Sequence, residues 1–541
     1  MSLLVYNLTA APLVLANGLS TTIPASTAGL GARGEPWYAS GAELEGRSGA
    51  EYLALQAQQA AGLVAYEWQA FQEYNTYPLL VASAQTDIAD LDLEIFADPV
   101  AGDDANPGTL ALPVKTFQKA WTLGAVFGRR KRRIYLAAGT YPCVAQTPGQ
   151  DILFYGADPL DEGEHLTVIG TPVDAGLGLL TATAVDIHTT QVSVAAHAPN
   201  SMIGATLRVV NNNGGGTAAG ASCMVKADDG VILTLCNSIE WVAFGANMAV
   251  GDQLVLERPD SILTCDTNFG FTGAMCFKNV KADSTTGSPG VMVFSEAKVV
   301  NALNLELVSN EIAIINNSQF SPTAIGVIFY DPPPFSTFLE SGGVYIHDTP
   351  FVIIEQGARL QQSNKLSSAA YLFRDCPAVV VHEDGVVSMD NGGGALVNSA
   401  VFVEGATSIF RMSGATDGGT EFSRATMDGS LGNALTLTRG AKAEFFAADI
   451  SNATGDAIKA DGGCFVSAGD LGGAGNGGYG LNLQASSLAV ADNAGGGVSA
   501  CTVTGTSGDV RVGASTKAYG ALPFGEVDGS GPTGNRFSIR P

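Results

Sequence analysis

Residues 98–141 read DPVAGDDANPGTLALPVKTFQKAWTLGAVFGRRKRRIYLAAGTY, and three kinds of local chemistry follow one another in them. The opening is turn chemistry: Asp98-Pro99, Gly102-Asp103-Asp104 and Asn106-Pro107-Gly108 combine residues that preset φ, tolerate left-handed backbone or bond to their own main chain. Phe117, Ala120, Trp121 and Ala125 then fall at i, i+3, i+4 and i+8, which predicts a short helix with one apolar face. The basic run at 129–133 suits the end of that helix, where cations complement exposed carbonyls. A strand, Ile134-Tyr135-Leu136, closes the stretch.

This order of turn, helix and strand, with its wording DP…GDDANPGT…PVKTFQKA…IYLAAGTY, resembles the opening of right-handed parallel β-helix proteins of the pectate-lyase-like superfamily. The resemblance implies a helix that caps the open end of a coil and a strand that begins its first turn. The fold class expected is all-β: the right-handed parallel β-helix that the resemblance implies, with a small N-terminal mixed domain and an inserted antiparallel β module read from the residues below. It implies no particular chemistry, because the superfamily includes lyases, hydrolases, epimerases and non-enzymatic adhesins.

The rest of the chain repeats one theme. Phe351-Val-Ile-Ile-Glu-Gln-Gly357, Ala378-Val-Val-Val-His-Glu-Asp-Gly385, Ala400-Val-Phe-Val-Glu-Gly405 and Ala434-Leu-Thr-Leu-Thr-Arg-Gly440 are short β-rich runs closed by glycine, starting 27, 22 and 34 residues after one another. One such run cannot bury its inner face alone, whereas stacked runs make a continuous apolar core. On this reading 89–172 holds the capping helix and first turns of the coil, and 259–513 the main coil. Between them, 173–258 has strands split by Asn211-Asn212-Asn213-Gly214-Gly215-Gly216 and Asp228-Asp229-Gly230, the texture of a compact antiparallel module. Its phrasing resembles β insertions of phage tail proteins, and the ending over 476–512 resembles the last turns of phage spike β-helices. Residues 1–88 read as short strands with a helix signal at 49–61, and 514–541 as a Gly/Pro-rich tail.

Composition narrows the partners. The 541 residues are 46% hydrophobic and only 15% charged, and Gly contributes 67, which favours β structure with many tight turns. Asp and Glu outnumber Lys and Arg by 52 to 27, a formal net charge of −25, which argues against nucleic acid as a partner. Arg129 to Arg133 form the one strong basic cluster, expected as a solvated helix end. Without an apolar run of membrane-spanning length, no membrane insertion is expected. The N-terminus lacks a charged leader and reads as a mature end, so release by lysis, as for virion proteins, is expected. The eight cysteines, Cys143, Cys223, Cys236, Cys265, Cys276, Cys376, Cys464 and Cys501, show no metal-type spacing and read as small buried hydrophobes.

Candidate chemistry is diffuse. A β-helix hydrolase needs two carboxylates, or a carboxylate and a base, on one solvent face. Asp449, Asp456, Asp461 and Asp470 are candidates, as are Glu383 and Asp384 beside His382, and turn or surface duty is the blander role for each. Asp103, Asp104 and Asn106 offer an incomplete calcium set. His165, His188, His197, His347 and His382 make no zinc pattern. The four tryptophans, Trp37, Trp68, Trp121 and Trp241, all precede the main coil, which disfavours a sugar-stacking groove there. No catalytic set is assigned, and neither cofactor nor metal is expected.

Three functions stay open. The first is a phage tailspike-like virion spike that attaches to host surface polysaccharide, homotrimeric by the resemblance and anchored to other virion proteins through its N-terminal domain. The second is a depolymerase spike that cleaves that polysaccharide as hydrolase or lyase. The third is a non-viral β-helix adhesin or enzyme. The first is the expectation carried forward.

Overall fold

Inward-facing apolar residues recur on successive coils, and parallel pairing sets them directly over one another. The computed structural model describes residues 93–124, 132–144, 152–155, 166–186, 191–236, 248–265, 268–285, 291–309, 312–316, 319–320, 342–361, 369–389, 394–417, 420–485 and 487–491, with short separate strands before and after. The chain is mostly β, with large parallel sheets. It divides into two units: Met1–Leu93 with Val126–Arg132, and Glu94–Ala125 with Arg133–Pro541.

In the larger unit the chain visits three parallel ladders in turn. The strands Phe351–Glu355, Arg359–Gln361 and Ala369–Arg374 make one coil, and Ala378–Val381, Val386–Met389 and Gly394–Val397 the next. Each strand pairs in parallel with the strand three places on, as Val352 with Val379 and Phe373 with Leu396. The four glycine-closed runs therefore fall on one ladder, with Val352, Val379, Val401 and Leu435 in register. The longest interval between them contains a hairpin, Ala415–Asp417 against Thr420–Ser423, which leaves the coil without breaking its register.

Alternation decides what is buried. On the third ladder Tyr141, Leu263, Ala282, Leu307, Ile346, Phe373, Leu396, Met427 and Ile450 stack in register, and all are buried. Full burial of a side chain of this size is worth about 1.5–3 kcal/mol, so the column accounts for much of the cohesion between coils. At the start of the coil the helix Phe117–Gly124 lays Phe117 and Trp121 over Phe154, with ring centroids 4.9 and 5.3 Å away. Phe154 stacks on Phe271 at 5.4 Å, and Phe271 on Phe294 at 5.3 Å. The Thr116 hydroxyl oxygen caps this helix by accepting from Lys119 N at 3.1 Å.

Left-handed residues make the corners. Gly357, Gly405, Gly440 and Gly463 have positive φ between the first and second ladders. Gly385 does not: there Glu383 and Asp384 take the left-handed conformation at φ 48° and 68°. Gly385 is instead held by space, since a Cβ on it would lie 2.5 Å from the Ile354 carbonyl oxygen. Between the third and first ladders the corner residues are Asp348, Asp375, Asn398, Gly429, Asn452 and Gly475. Asn and Asp tolerate this conformation, and their side chains tie successive coils: Asn398 donates to Asp375 at 2.9 Å and Asn452 to Asp428 at 2.7 Å.

The antiparallel strands Pro172–Asp174, Leu180–Thr181, Ala184–Asp186, Gln191–Ser193, Thr206–Asn211, Ser222–Asp228, Ile232–Leu235 and Gln253–Pro259 form a side module. It departs after the coil strand Leu166–Ile169 and returns at Ser261–Cys265. Its entry and exit are tied together, Asp260 N donating to Thr171 O at 2.8 Å.

Some expectations change. Arg132 and Arg133 are not a solvated helix end: both are buried in the strand Arg132–Leu136, and Arg133 meets Glu94 at 3.3 Å. The Gly/Pro-rich tail contributes strands Lys517–Gly520 and Val527–Asp528, which pair with Leu488–Ala491 and Gly508–Val512. In the smaller unit Ser2–Asn7 lies antiparallel between Trp37–Ser40 and Val64–Gln69. The helix signal at 49–61 lies outside the described residues. Among the described residues no helix is long and apolar enough to cross a membrane.

Candidate functional site

The side module sits on the outer face of the third ladder. Lys281, Glu306, Tyr345, Leu372 and Ala395 are successive members of one outward column. Tyr345, Leu372 and Ala395 join the module's apolar core with Leu207, Met224 and Leu256. The contact is close: a Cβ on Gly204 would lie 2.3 Å from the Tyr345 ring, and one on Gly343 2.3 Å from Met224 Cε. Lys281 and Glu306 are the column's polar members, and there the character of the junction changes.

Glu306 is the hub. Its Oε1 lies 2.8 Å from His347 Nε2 and 3.1 Å from Lys281 Nζ, and its Oε2 lies 3.8 Å from Arg258 Nη1. His347 turns its other nitrogen to Asp348 at 2.6 Å, and Lys281 also meets Asp283 at 3.6 Å. Arg258 belongs to the module; its Nη2 donates to the carbonyls of Ser201 and Ile203 at 3.1 and 2.9 Å. Its guanidinium lies 6.0 Å from the Tyr345 ring centre, and the Tyr345 and His347 rings stack at 4.5 Å. Arg374 donates to the module's Asn200 carbonyl at 3.0 Å and pairs with Asp375.

These contacts set the protonation of the hub. Burial alone would raise the Glu306 pKa, but the hydrogen bond from His347 and the Lys281 ammonium outweigh it and hold the carboxyl at about 2. Burial pushes the Tyr345 phenol up to about 12, against the nearby guanidinium groups of Arg374 and Arg258. Glu306 is therefore a fixed anion at neutral pH: it can accept hydrogen bonds but has no proton to give. Lys281 touches both Glu306 and Asp283, which keeps those carboxyl oxygens no more than about 7 Å apart.

The carboxylates singled out in the sequence go elsewhere. Asp449 pairs with Arg424 Nε at 2.9 Å beside the point where module residue Lys226 donates to the Arg424 carbonyl. Asp456 is buried and staples coils, accepting from Tyr479 N and Asn482 Nδ2, each at 2.7 Å. Asp461 ends a strand of the first ladder, and the side chain of Asp470 lies outside the described ones. Asp384 accepts from the Thr407 hydroxyl. Among the described side chains of that set Glu383 and His382 meet: His382 Nε2 lies 3.2 Å from Glu355 and its Nδ1 3.9 Å from Glu383. Asp103 and Asp104 are used by the backbone, Asp104 Oδ1 accepting from Lys115 and Thr116 at 3.0 and 2.8 Å. Seven of the eight cysteines are buried, and Cys501 lies outside the described residues.

Lys281, Glu306 and Arg258 were not foreseen as a group, and His347 stood only among scattered histidines. Positions 281, 306 and 347 are neighbours only through coil stacking, and no spacing rule in the sequence states that register.

No family model matches the chain, and no curated protein matches it. Among solved structures, one titled a glycoside hydrolase is similar at 9% identity and a TM-score of 0.23, covering 72% of this chain and 96% of that one. A GH136 lacto-N-biosidase from Eubacterium ramulus is similar at 9% identity and a TM-score of 0.27, covering 79% and 67%. The tailspike of Pseudomonas phage phi297 is similar at 14% identity and a TM-score of 0.19, covering 70% and 72%. Likeness at these scores assigns no chemistry to this chain.

Proposed function

We propose that the chain is a virion spike whose coil is a right-handed parallel β-helix, and that it binds host surface polysaccharide at the module–coil junction without cutting it. The observation that carries this reading is the Glu306 hub. Guanidinium, ammonium, imidazole and carboxylate groups converge beside a docked module, an array of donors and acceptors suited to a hydroxyl-rich polymer. Its buried carboxylate stays ionised, so Glu306 accepts hydrogen bonds from sugar hydroxyls and is not itself a proton donor. The spike is proposed to act as a homotrimer. The support is an outward apolar row on the first ladder, Ile353, Val380 and Phe402 in register, with Phe351 52% and Phe402 40% exposed.

A depolymerase is the second reading, favoured by the proximity of the Glu306 and Asp283 carboxylates. One experiment separates the two. Purified surface polysaccharides are incubated with the full chain, and retention, reducing ends and unsaturated sugar are measured together. Retention without release, weakened at least tenfold in Lys281→Ala, is expected. Sugar release abolished by Asp283→Asn would establish the depolymerase instead.

A further inference from the structure

We propose that Glu355, His382 and Glu383 form a site for one divalent transition-metal ion, with zinc the fitting probe, bridging two successive coils. One ligand atom from each residue lies within 4.8 Å of the other two. Glu355 ends the strand Phe351–Glu355, and His382 follows Ala378–Val381 one coil later. The pair Ile354 and Val381 is in parallel register, so the next residues on each strand, Glu355 and His382, stand side by side. Glu383 reaches the same point from the corner, through its left-handed backbone at φ 48°.

The framework is firm where it must be. His382 N donates to the Ile354 carbonyl at 3.1 Å, and Gly357 N to the Glu383 carbonyl at 2.8 Å, so both coils hold the main chain of the ligands. Glu355 and His382 are mostly covered, with side chains 20% and 26% exposed, while Glu383 at 60% is the arm that closes on an ion. Ligands about 2.1 Å from a tetrahedral zinc stand about 3.4 Å apart, and the 3.2 Å between His382 Nε2 and Glu355 matches, while Glu383, 3.9 Å from Nδ1, swings to the Nε2 side to complete the set. Two carboxylates and one imidazole make a three-ligand set that leaves a coordination position for water. The two carboxylates, with oxygens within 4.8 Å of each other, repel, and a divalent cation removes that repulsion. The site does not depend on the Glu306 junction.

The test uses the full chain, metal-stripped and titrated with Zn²⁺ by calorimetry, with bound metal counted by mass spectrometry and Co²⁺ absorption as the ligand report. One ion per chain is expected, with no thiolate charge-transfer band. His382→Ala and Glu355→Gln should each weaken binding at least tenfold, and Glu444→Gln should leave it unchanged. Thermal unfolding of each stripped variant shows that the fold persists. The proposal is overturned by absence of binding, by equal affinity in all variants, or by a thiolate band that assigns the ion to the cysteines.

Discussion

Replacing Glu306 with Gln should remove a pH dependence that can be worked out in advance. The carboxyl falls from an ordinary 4.5 to about 2 on folding. At about 1.4 kcal/mol per pH unit, that displacement amounts to ~3 kcal/mol, supplied by His347 and Lys281. The native pKa is depressed, so the stabilisation is fully present above pH 4.5 and is lost as pH falls toward 2. In a chain this long global unfolding is not two-state, so the fitting readout is native-state hydrogen exchange in the strands Gln253–Pro259 and Gly342–His347. At pH 7 the variant should exchange there with ~3 kcal/mol less protection, and the gap to wild type should close as pH approaches 2. A gap of the same size at pH 7 and at low pH would refute the ion-pair account and leave packing as the cause.

Three further outcomes follow from packing. Phe271→Ala removes the ring between Phe154 and Phe294 and should destabilise by about 3–5 kcal/mol, read as a lowered unfolding temperature. Gly204→Ala puts a Cβ 2.3 Å from Tyr345 at φ 82°, so it should loosen the module by more than about 2 kcal/mol, seen as faster exchange in Thr206–Asn211. Asp104→Ala removes the acceptor for Lys115 N and Thr116 N and should loosen the capping helix by about 1 kcal/mol, seen as faster exchange in Phe117–Gly124.

The coil was legible where periodicity is local. Each of Gly357, Gly405 and Gly440 marks a corner, and the β-branched runs before them fall on one ladder because every coil must bury the same inner face. The opposite corner was harder to see, since Asp348, Asp375, Asn398 and Asn452 do the work of glycine with residues that also look like chemistry. The strand Ser222–Asp228 carries no alternation in its sequence, because five successive residues from Ser222 to Lys226 are buried. The buried Arg132 and Arg133 read as surface because charge outweighed strand position. The site was not legible at all. Asp456 and Asp449 stood beside turn residues and proved to be staples, while Glu306 stood inside an apolar run and proved to be the hub.

The most direct test of the account is hydrogen-exchange footprinting of the full chain with a surface oligosaccharide that it retains, with the length of the sugar measured before and after. The account predicts new protection at 253–259, 281–283, 306–308 and 342–348, with the oligosaccharide recovered intact. Protection confined to other coils, or a shortened oligosaccharide, would contradict it.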